Sequence, residues 1–369
     1  MTDQTVSTQL DTPSPNGFLG MLARRSEAVI LPLAALLVGF AVFSIFLLLQ
    51  GKSPTEFFAL TYRAGFGTAF SWQNTLSRTA PLLFAALCVA LPARLGLVVI
   101  GGEGAIVLGG VAAGAMGALL AHSSGLIAVP MMVASAMIVG GLWIGSVGAL
   151  RYYRGVNETI ASLLMAYIAI AVMNHLVEGP LRDPASLNKP STAPLADNLR
   201  VGDIPGWEVH WGLAFGVLCC VLAWGLIDKT TWGFAARIAG GNMRAAQVQG
   251  LPVGRLIVGF TALGGALAGL AGYFEVTAVH GAANASLATG YGYTGILIAF
   301  LARHNPLAII PVAILLAGFE ASSGLIQRRM DLPNATTLVL QGFVFISILM
   351  SDTLYGRFKV FAPECWRSA

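Results

Sequence analysis

Long apolar runs separated by short polar stretches make up most of this chain, and that alternation predicts its elements. A helix needs about 20 apolar residues to cross the hydrocarbon core of a bilayer. Ten runs are candidates: Ala28–Leu49, Thr79–Leu91, Leu95–Ala121, Leu126–Leu150, Asn157–Val177, Trp211–Ile227, Val253–Val276, Tyr291–Ala302, Pro306–Ile326 and Pro333–Met350. The second and eighth are short, and glycines interrupt the third and seventh. The first follows Arg24 and Arg25, is too long for a signal-peptide core and has no small-x-small site after it, so it reads as an uncleaved anchor. The expectation is an all-α polytopic membrane protein of about ten transmembrane helices. A tail over 1–27 precedes the membrane domain 28–350, and a second tail spans 351–369.

The basic residues orient these spans. With the N-terminus inside, 13 of the 21 Lys and Arg fall on the cytoplasmic side. That bias favours N-in, C-in by the positive-inside rule. Two connections are long. The external one, 179–210, carries Pro180, Pro184, Pro190, Pro194 and Pro205 and is expected to be irregular or to hold short helical pieces. The cytoplasmic one, 229–252, is Ala-rich, basic and half apolar, and too short to span; it must lie against the membrane surface or a partner protein. A weak internal repeat lays RGVNETIASLLMAYIAIA from Arg154 over RMDLPNATTLVLQGFVFIS from Arg329. The glycine-rich stretches GGEGAIVLG from Gly101 and GYGYTGILIA from Gly290 precede the two copies at similar distances. Two related halves with glycine-broken helices are a common transporter plan.

Composition removes several function classes. Hydrophobic residues make up 56% and charged residues only 10%, against roughly 25% charged in soluble domains. This excludes a cytosolic enzyme, a nucleic-acid binder and a secreted disulfide scaffold. The net charge of +4 adds little. Cys88, Cys219, Cys220 and Cys365 show no CxxC spacing and read as small buried hydrophobes.

Catalytic constellations are missing from the sequence. The tripeptide Gly51–Ser53 ends like a P-loop, but Phe46 stands where the loop's first glycine must be. There is no HExxH or GxSxG, and the five histidines are scattered, so neither a catalytic set, a metal site nor a bound cofactor is expected in this chain. Intramembrane carboxylates are the remaining candidates, because a charge in hydrocarbon is costly. Glu103, inside GGEG, suits a pathway or gate; the alternative is a structural acid bonding exposed backbone. Asn157 and Glu158 open the fifth span, where capping is the simpler role. Glu275 is expected to reach headgroups or water, whereas Glu320 needs a partner the sequence does not name. Glycine pairs such as Gly110/Gly114, Gly141/Gly145 and Gly265/Gly269 are expected to allow close helix packing.

Seven segments in order resemble one family. They are GLVVIGGEGAIVLGG (Gly96–Gly110), RGVNETIASLLMAYIA (Arg154–Ala169), GPLRDP (Gly179–Pro184), GFAARIAGGNMRAAQVQGL (Gly233–Leu251), GGALAGLAGYFEV (Gly264–Val276), GYGYTGILIAFLARHNPLAI (Gly290–Ile309) and LVLQGFVFISIL (Leu338–Leu349). Together they resemble the permease subunit of bacterial nucleoside and simple-sugar ABC importers, within the ribose and branched-chain amino-acid permease superfamily. The resemblance implies a ten-helix fold like that of the vitamin B12 importer, in the bacterial inner membrane. It also implies a second permease, expected as a heterodimer, cytoplasmic ATP-binding subunits that hold ATP and Mg, and an extracytoplasmic substrate-binding lipoprotein. On this reading Gly233, Arg237, Gly240, Asn242, Arg244, Ala245 and Gly250 belong to a coupling helix seated on an ATPase, and Glu103, Asn157, Glu158, Tyr291, Tyr293 and Gln341 line a substrate path. Departures occur at Val99, Ala105, Ala166 and Thr294, where the family carries more polar side chains; if these line the path, the cargo is less polar or the second permease supplies the contacts. The rival readings are an ion-coupled secondary transporter of a small polar solute, using Glu103 and Glu320, and a membrane-embedded enzyme.

Overall fold

The computed structural model describes residues 34–186 and 189–354. Most of the tails expected over 1–27 and 351–369 therefore lies outside the described residues. Among the described residues the chain is helical, with isolated bridges in place of strands. Thirteen α-helices follow in order: α1 (Ala34–Leu49), α2 (Pro54–Phe66), α3 (Ala69–Ala93), α4 (Gly102–Leu119), α5 (Gly125–Arg154), α6 (Glu158–Glu178), α7 (Gly212–Lys229), α8 (Thr231–Gly241), α9 (Met243–Val248), α10 (Val253–Phe274), α11 (Tyr291–Leu301), α12 (Pro306–Met330) and α13 (Ala335–Leu354). Among the described residues, seven helices are long and apolar enough to cross a membrane, and α1 with α2 taken together gives an eighth. α11 and α13 are shorter apolar helices.

Local sequence explains the helix ends. Asn157 caps α6, accepting from Thr159 N–H at 3.0 Å and Ile160 N–H at 3.2 Å. Asn305 caps α12 in the same way, with Pro306 at the first helical position. α5 stops at Gly155 and α12 at Asp331, both left-handed. An asparagine follows in each case, Asn157 before α6 with one residue, Val156, in between, and Asn334 before α13 with two, Leu332 and Pro333. Two boundaries differ from the apolar runs. α3 begins at Ala69, ten residues before the run, because its polar first turns bond the end of α2: Ser71 Oγ donates to Arg63 O at 2.9 Å and Thr75 Oγ1 to Gly65 O at 2.8 Å. The third run becomes a helix only at Gly102.

The chain divides into two compact units, residues 55–337 and, of the described residues, 34–54 with 338–354. In the smaller unit Gly39 lets α1 approach the backbone of Val344, and Phe343 packs near Phe43 and Phe46. In the larger unit α4, α5 and α10 meet through glycines. A Cβ on Gly269 would strike the Ala136 carbonyl, one on Gly140 the Gly265 carbonyl, and one on Gly272 the Ile106 carbonyl. A Cβ added at Gly141 or Gly145 would come within 3.1 or 3.0 Å of Ala262. Hydrocarbon cannot drive helices together as water does, so such close backbone approach supplies the packing attraction.

The proline-rich connection between α6 and α7 folds back over this unit. It holds a short 3-10 turn, Asp197–Leu199, and its backbone bonds the segment after α10, with Thr192 N–H donating to Ala283 O at 2.9 Å and Leu195 N–H to Gly281 O at 2.8 Å. His210 pins its end, its Nδ1 accepting from Gly212 N–H at 3.2 Å while Nε2 lies 3.2 Å from Ser77 O. That geometry suits the neutral ring.

Two outcomes follow. Gly269→Val should lower the melting temperature of the detergent-purified protein, overpacking costing about 1–3 kcal/mol. Gly225→Ala, which meets open space, should leave it unchanged or slightly raised. Burial lowers the His210 pKa below its ordinary value. On acidification the unfolded chain binds the proton first, so this contribution to stability is present at higher pH and is lost as pH falls below about 6.5. Melting curves at pH 7.5 and 5.5 should show that loss, and His210→Asn should reduce it.

Candidate functional site

Two irregular backbone segments inside the larger unit define the site. The first runs from the wide turn Glu275–His280 through Gly281 to Gly290 and leads into α11. The second, residues 95–101, leads into α4. At membrane depth, such backbone needs internal hydrogen-bond partners.

Glu103 supplies them for the first. It is 1% exposed, in the first turn of α4, and its two oxygens accept from Gly290 N–H at 2.7 Å and Gly292 N–H at 2.6 Å. A helix start leaves unsatisfied N–H groups and a partial positive charge, and a carboxylate answers both. Bonds to a charged group contribute about 1.5–3 kcal/mol each. Glycine is required at both ends of this contact: Gly290 is left-handed, φ +92°, and a Cβ on Gly292 would strike the backbone of Glu103. The start of α6 serves the second break. Thr159 Oγ1 donates to Val98 O at 2.9 Å, and Ile100 N–H donates to Ser162 Oγ at 3.0 Å. Gly101 packs directly on the Ser162 carbonyl.

The other sequence candidates fall around these breaks. Tyr291 and Tyr293 sit in the first turn of α11, whose backbone Glu103 holds at Gly290 and Gly292, with Tyr291 buried and Tyr293 38% exposed. Asn157 and Glu158 stand at the start of α6, Asn157 as its cap and Glu158 3.2 Å from Arg151 Nε. Gln341 is buried on α13, in the smaller unit. Val99, Ala105, Ala166 and Thr294 are all buried within the chain, as Glu103 and Tyr291 are. At Ala166 the cause is visible, since a Cβ on Gly104 would come within 2.9 Å of its Cα. Glu275 does not reach water; it is 3% exposed and lies 3.5 Å from His280 Nδ1, because the wide turn at the end of α10 folds it inward. Glu320 accepts from Thr294 Oγ1 at 3.0 Å, a link between α11 and α12 that no local motif signals.

The connection 229–252 forms the two short helices α8 and α9. Thr230 caps α8, accepting from Gly233 N–H at 3.2 Å, and Gly233 lies so close to the Ile227 carbonyl that no Cβ fits. Arg237 pairs with Asp228 at 2.8 Å. Asn242 separates the helices and caps α9 through Ala245 N–H at 3.0 Å, and Gly250 ends the segment at φ +80°. A Cβ on Gly240 would strike the Arg94 carbonyl, and one on Gly96, φ +73°, would come within 3.3 Å of Gly240 O. Arg94 in turn donates from Nη2 to His304 O at 2.9 Å, in a turn where Arg303 and His304 are both left-handed. α8 therefore touches the start of the second break and, through Arg94, the α11–α12 turn. On the outward side of this segment Trp232, Phe234, Arg244, Ala245 and Val248 are exposed, Val248 at 86%.

On the opposite face, Arg63, Arg78 and Arg328 line a pocket of about 510 Å³ with Asn74 and Asn334, and no acidic side chain lines it.

Comparison with known proteins places this geometry. The family model described as branched-chain amino acid transport system, permease component, matches residues 71–349. The chain is 28% identical to the glucose ABC transporter permease protein TsgB13 of Haloferax volcanii, covering 89% of each chain. It is also 28% identical to the guanosine ABC transporter permease protein NupP of Bacillus subtilis, over 89% of this chain and 95% of that one. The probable riboflavin import permease protein RfuC of Treponema pallidum is 26% identical, over 85% and 83%.

The Glu103 contact yields a test. In Glu103→Gln the amide can accept one of the two N–H bonds but sets its own donor against the other, so the melting temperature should fall by an amount equivalent to about 1–3 kcal/mol. Uptake should fall with it. An unchanged melting temperature with uptake lost would instead assign Glu103 to the path itself.

Proposed function

Because the chain belongs to the branched-chain amino acid transport system permease family, we propose that it is the membrane permease of an ATP-driven importer of nucleosides or simple sugars. The observation that carries the coupling part is the α8–α9 pair. It is too short to span, is wedged under α3 by Gly240, and turns Trp232, Phe234 and Val248 outward beside Arg244. An apolar exposed face flanked by a cation fits a groove on a partner protein. That partner is the ATP-binding subunit, which holds ATP and Mg; this chain contributes the coupling residues Gly233, Arg237, Gly240, Asn242, Arg244, Ala245 and Gly250.

The mechanism is alternating access. Movement delivered to α8 reaches the Arg94–Gly96 turn and, through the Arg94–His304 bond, the α11–α12 turn. Both broken segments are thereby loaded from one place. Glu103, Asn157, Glu158, Tyr291 and Tyr293 line or frame the path, and the tyrosine rings offer stacking faces for a base or sugar. A second, non-identical permease completes the path, and each has ten spans in the manner of the vitamin B12 importer. The chain lies N-in, C-in in a bacterial inner membrane, with α8–α9 inside. The arginine pocket then faces outward, where its three guanidinium groups suit acidic side chains of the extracytoplasmic binding protein. The nucleoside or sugar assignment is supported by relatives whose names cover glucose and guanosine.

Arg244→Glu, or deletion of 240–246, should leave the protein membrane-inserted while abolishing both uptake and copurification of the ATP-binding subunits. Retained copurification would count against the coupling role. Uptake that survives ATP depletion but not gradient collapse would favour ion coupling instead.

A further inference from the structure

The arginine pocket on the face opposite α8–α9 is built before anything enters it. The end of α2, the start of α3 and the last turns of α12 wall it, all within the larger unit. A Cβ on Gly65 would come within 2.9 Å of the Gly318 carbonyl, so α2 rests on α12 backbone to backbone. The Ser71 and Thr75 hydroxyls bond the end of α2 to α3, and the Phe66 ring meets Trp72 edge to face at 5.2 Å. Walls fixed in this way spare an occupant the cost of ordering them.

The pocket's hydrogen-bonding chemistry is one-sided. Arg63, Arg78 and Arg328 bring donors alone, and no acidic side chain lines the cavity. Asn74 Oδ1 is engaged by Arg78 Nε at 3.3 Å, which leaves the N–H groups of that amide. Arg328 lies back along α12, its Nη1 4.0 Å from where a Cβ on Gly324 would stand, and both residues line the pocket. Among the described residues Arg63 and Arg328 have no ion pair, while Arg78 also acts on the buried Glu275 carboxyl. Three cations around one cavity repel one another until an anion joins them. Guanidinium forks match phosphate and carboxylate oxygens in pairs, and a phosphate monoester, with a charge near −2, answers more of that repulsion than a carboxylate does. The volume of about 510 Å³ lies in the range of small-molecule sites and exceeds what a bare oxyanion fills. Phe70, 70% exposed, supplies an apolar ring in the same lining.

We propose that this pocket binds a soluble organic phosphate, with its phosphate among Arg63, Arg78 and Arg328 and its apolar body against Phe70. The inference goes beyond the docking role given to the pocket above and does not depend on it. Both occupants use the same arginines, so a bound phosphate must leave before acidic side chains of a binding protein can enter.

Isothermal titration calorimetry on the full-length chain in phosphatidylcholine nanodiscs tests it, with phenyl phosphate, inorganic phosphate and phenol as probes. Phenyl phosphate should bind saturably, inorganic phosphate more weakly and phenol not at all. Arg63→Gln with Arg328→Gln should weaken phenyl phosphate at least about tenfold. Both side chains are exposed, so the melting temperature of that variant should stay unaltered. Phe70→Ala should bring phenyl phosphate down to the affinity of inorganic phosphate and leave the latter unchanged. No saturable phenyl phosphate binding by the wild type, or unaltered phenyl phosphate affinity in either variant, would overturn the proposal. So would loss of binding when phosphatidylglycerol replaces part of the phosphatidylcholine, since a lipid head group would then be the occupant. Neither uptake nor the ATP-binding subunits enter this measurement, so its failure leaves the proposed function standing.

Discussion

Everything in the larger unit depends on satisfying irregular backbone where no water reaches. The Glu103 carboxylate, bonded to two N–H groups at the start of α11, is the most concentrated solution. A neutral acceptor would leave the partial charge of the helix start unanswered, and water is not available as a substitute. The same problem at residues 95–101 is met by the Thr159 and Ser162 hydroxyls of α6, and at Gly281–Ala283 by the outer loop. Each break is thus held by an element distant in sequence, and no break can rearrange without exchanging these partners.

This arrangement joins the two faces of the protein. α8 bears on the turn after α3, that turn holds the α11–α12 connection through Arg94, and α11 is gripped at its other end by Glu103. Two of these connections are hydrogen bonds and the third is the close backbone contact at Gly240, rather than broad apolar surfaces. Displacing one such bond costs a few kcal/mol, a scale that ATP hydrolysis in a partner could drive.

Much of this was readable from the chain, and the remainder fails for identifiable reasons. Asn157 as a cap, the glycine pairs as contact points and the helical nature of 229–252 follow from local chemistry, and the structure has them so. GGEG marked Glu103 as unusual, but its partners lie 187 and 189 residues away, a separation no local pattern reports. The Thr294–Glu320 bond was illegible for the same reason. Glu275 was misplaced because depth was counted along a straight helix, whereas the wide turn brings the side chain in. The polar first turns of α3 looked like loop because hydropathy cannot anticipate bonds to the end of α2.

The glycine contacts among α4, α5 and α10 have a consequence for motion. Where backbone rests on backbone with no side chain between, there is no layer of rotamers that could reshuffle to let one helix slide. These three helices behave as a slab. Whatever opens and closes during a cycle must therefore do so at the slab's margins, where the breaks before α4 and α11 give the chain freedom to bend, and the slab supplies the fixed frame against which that bending does work.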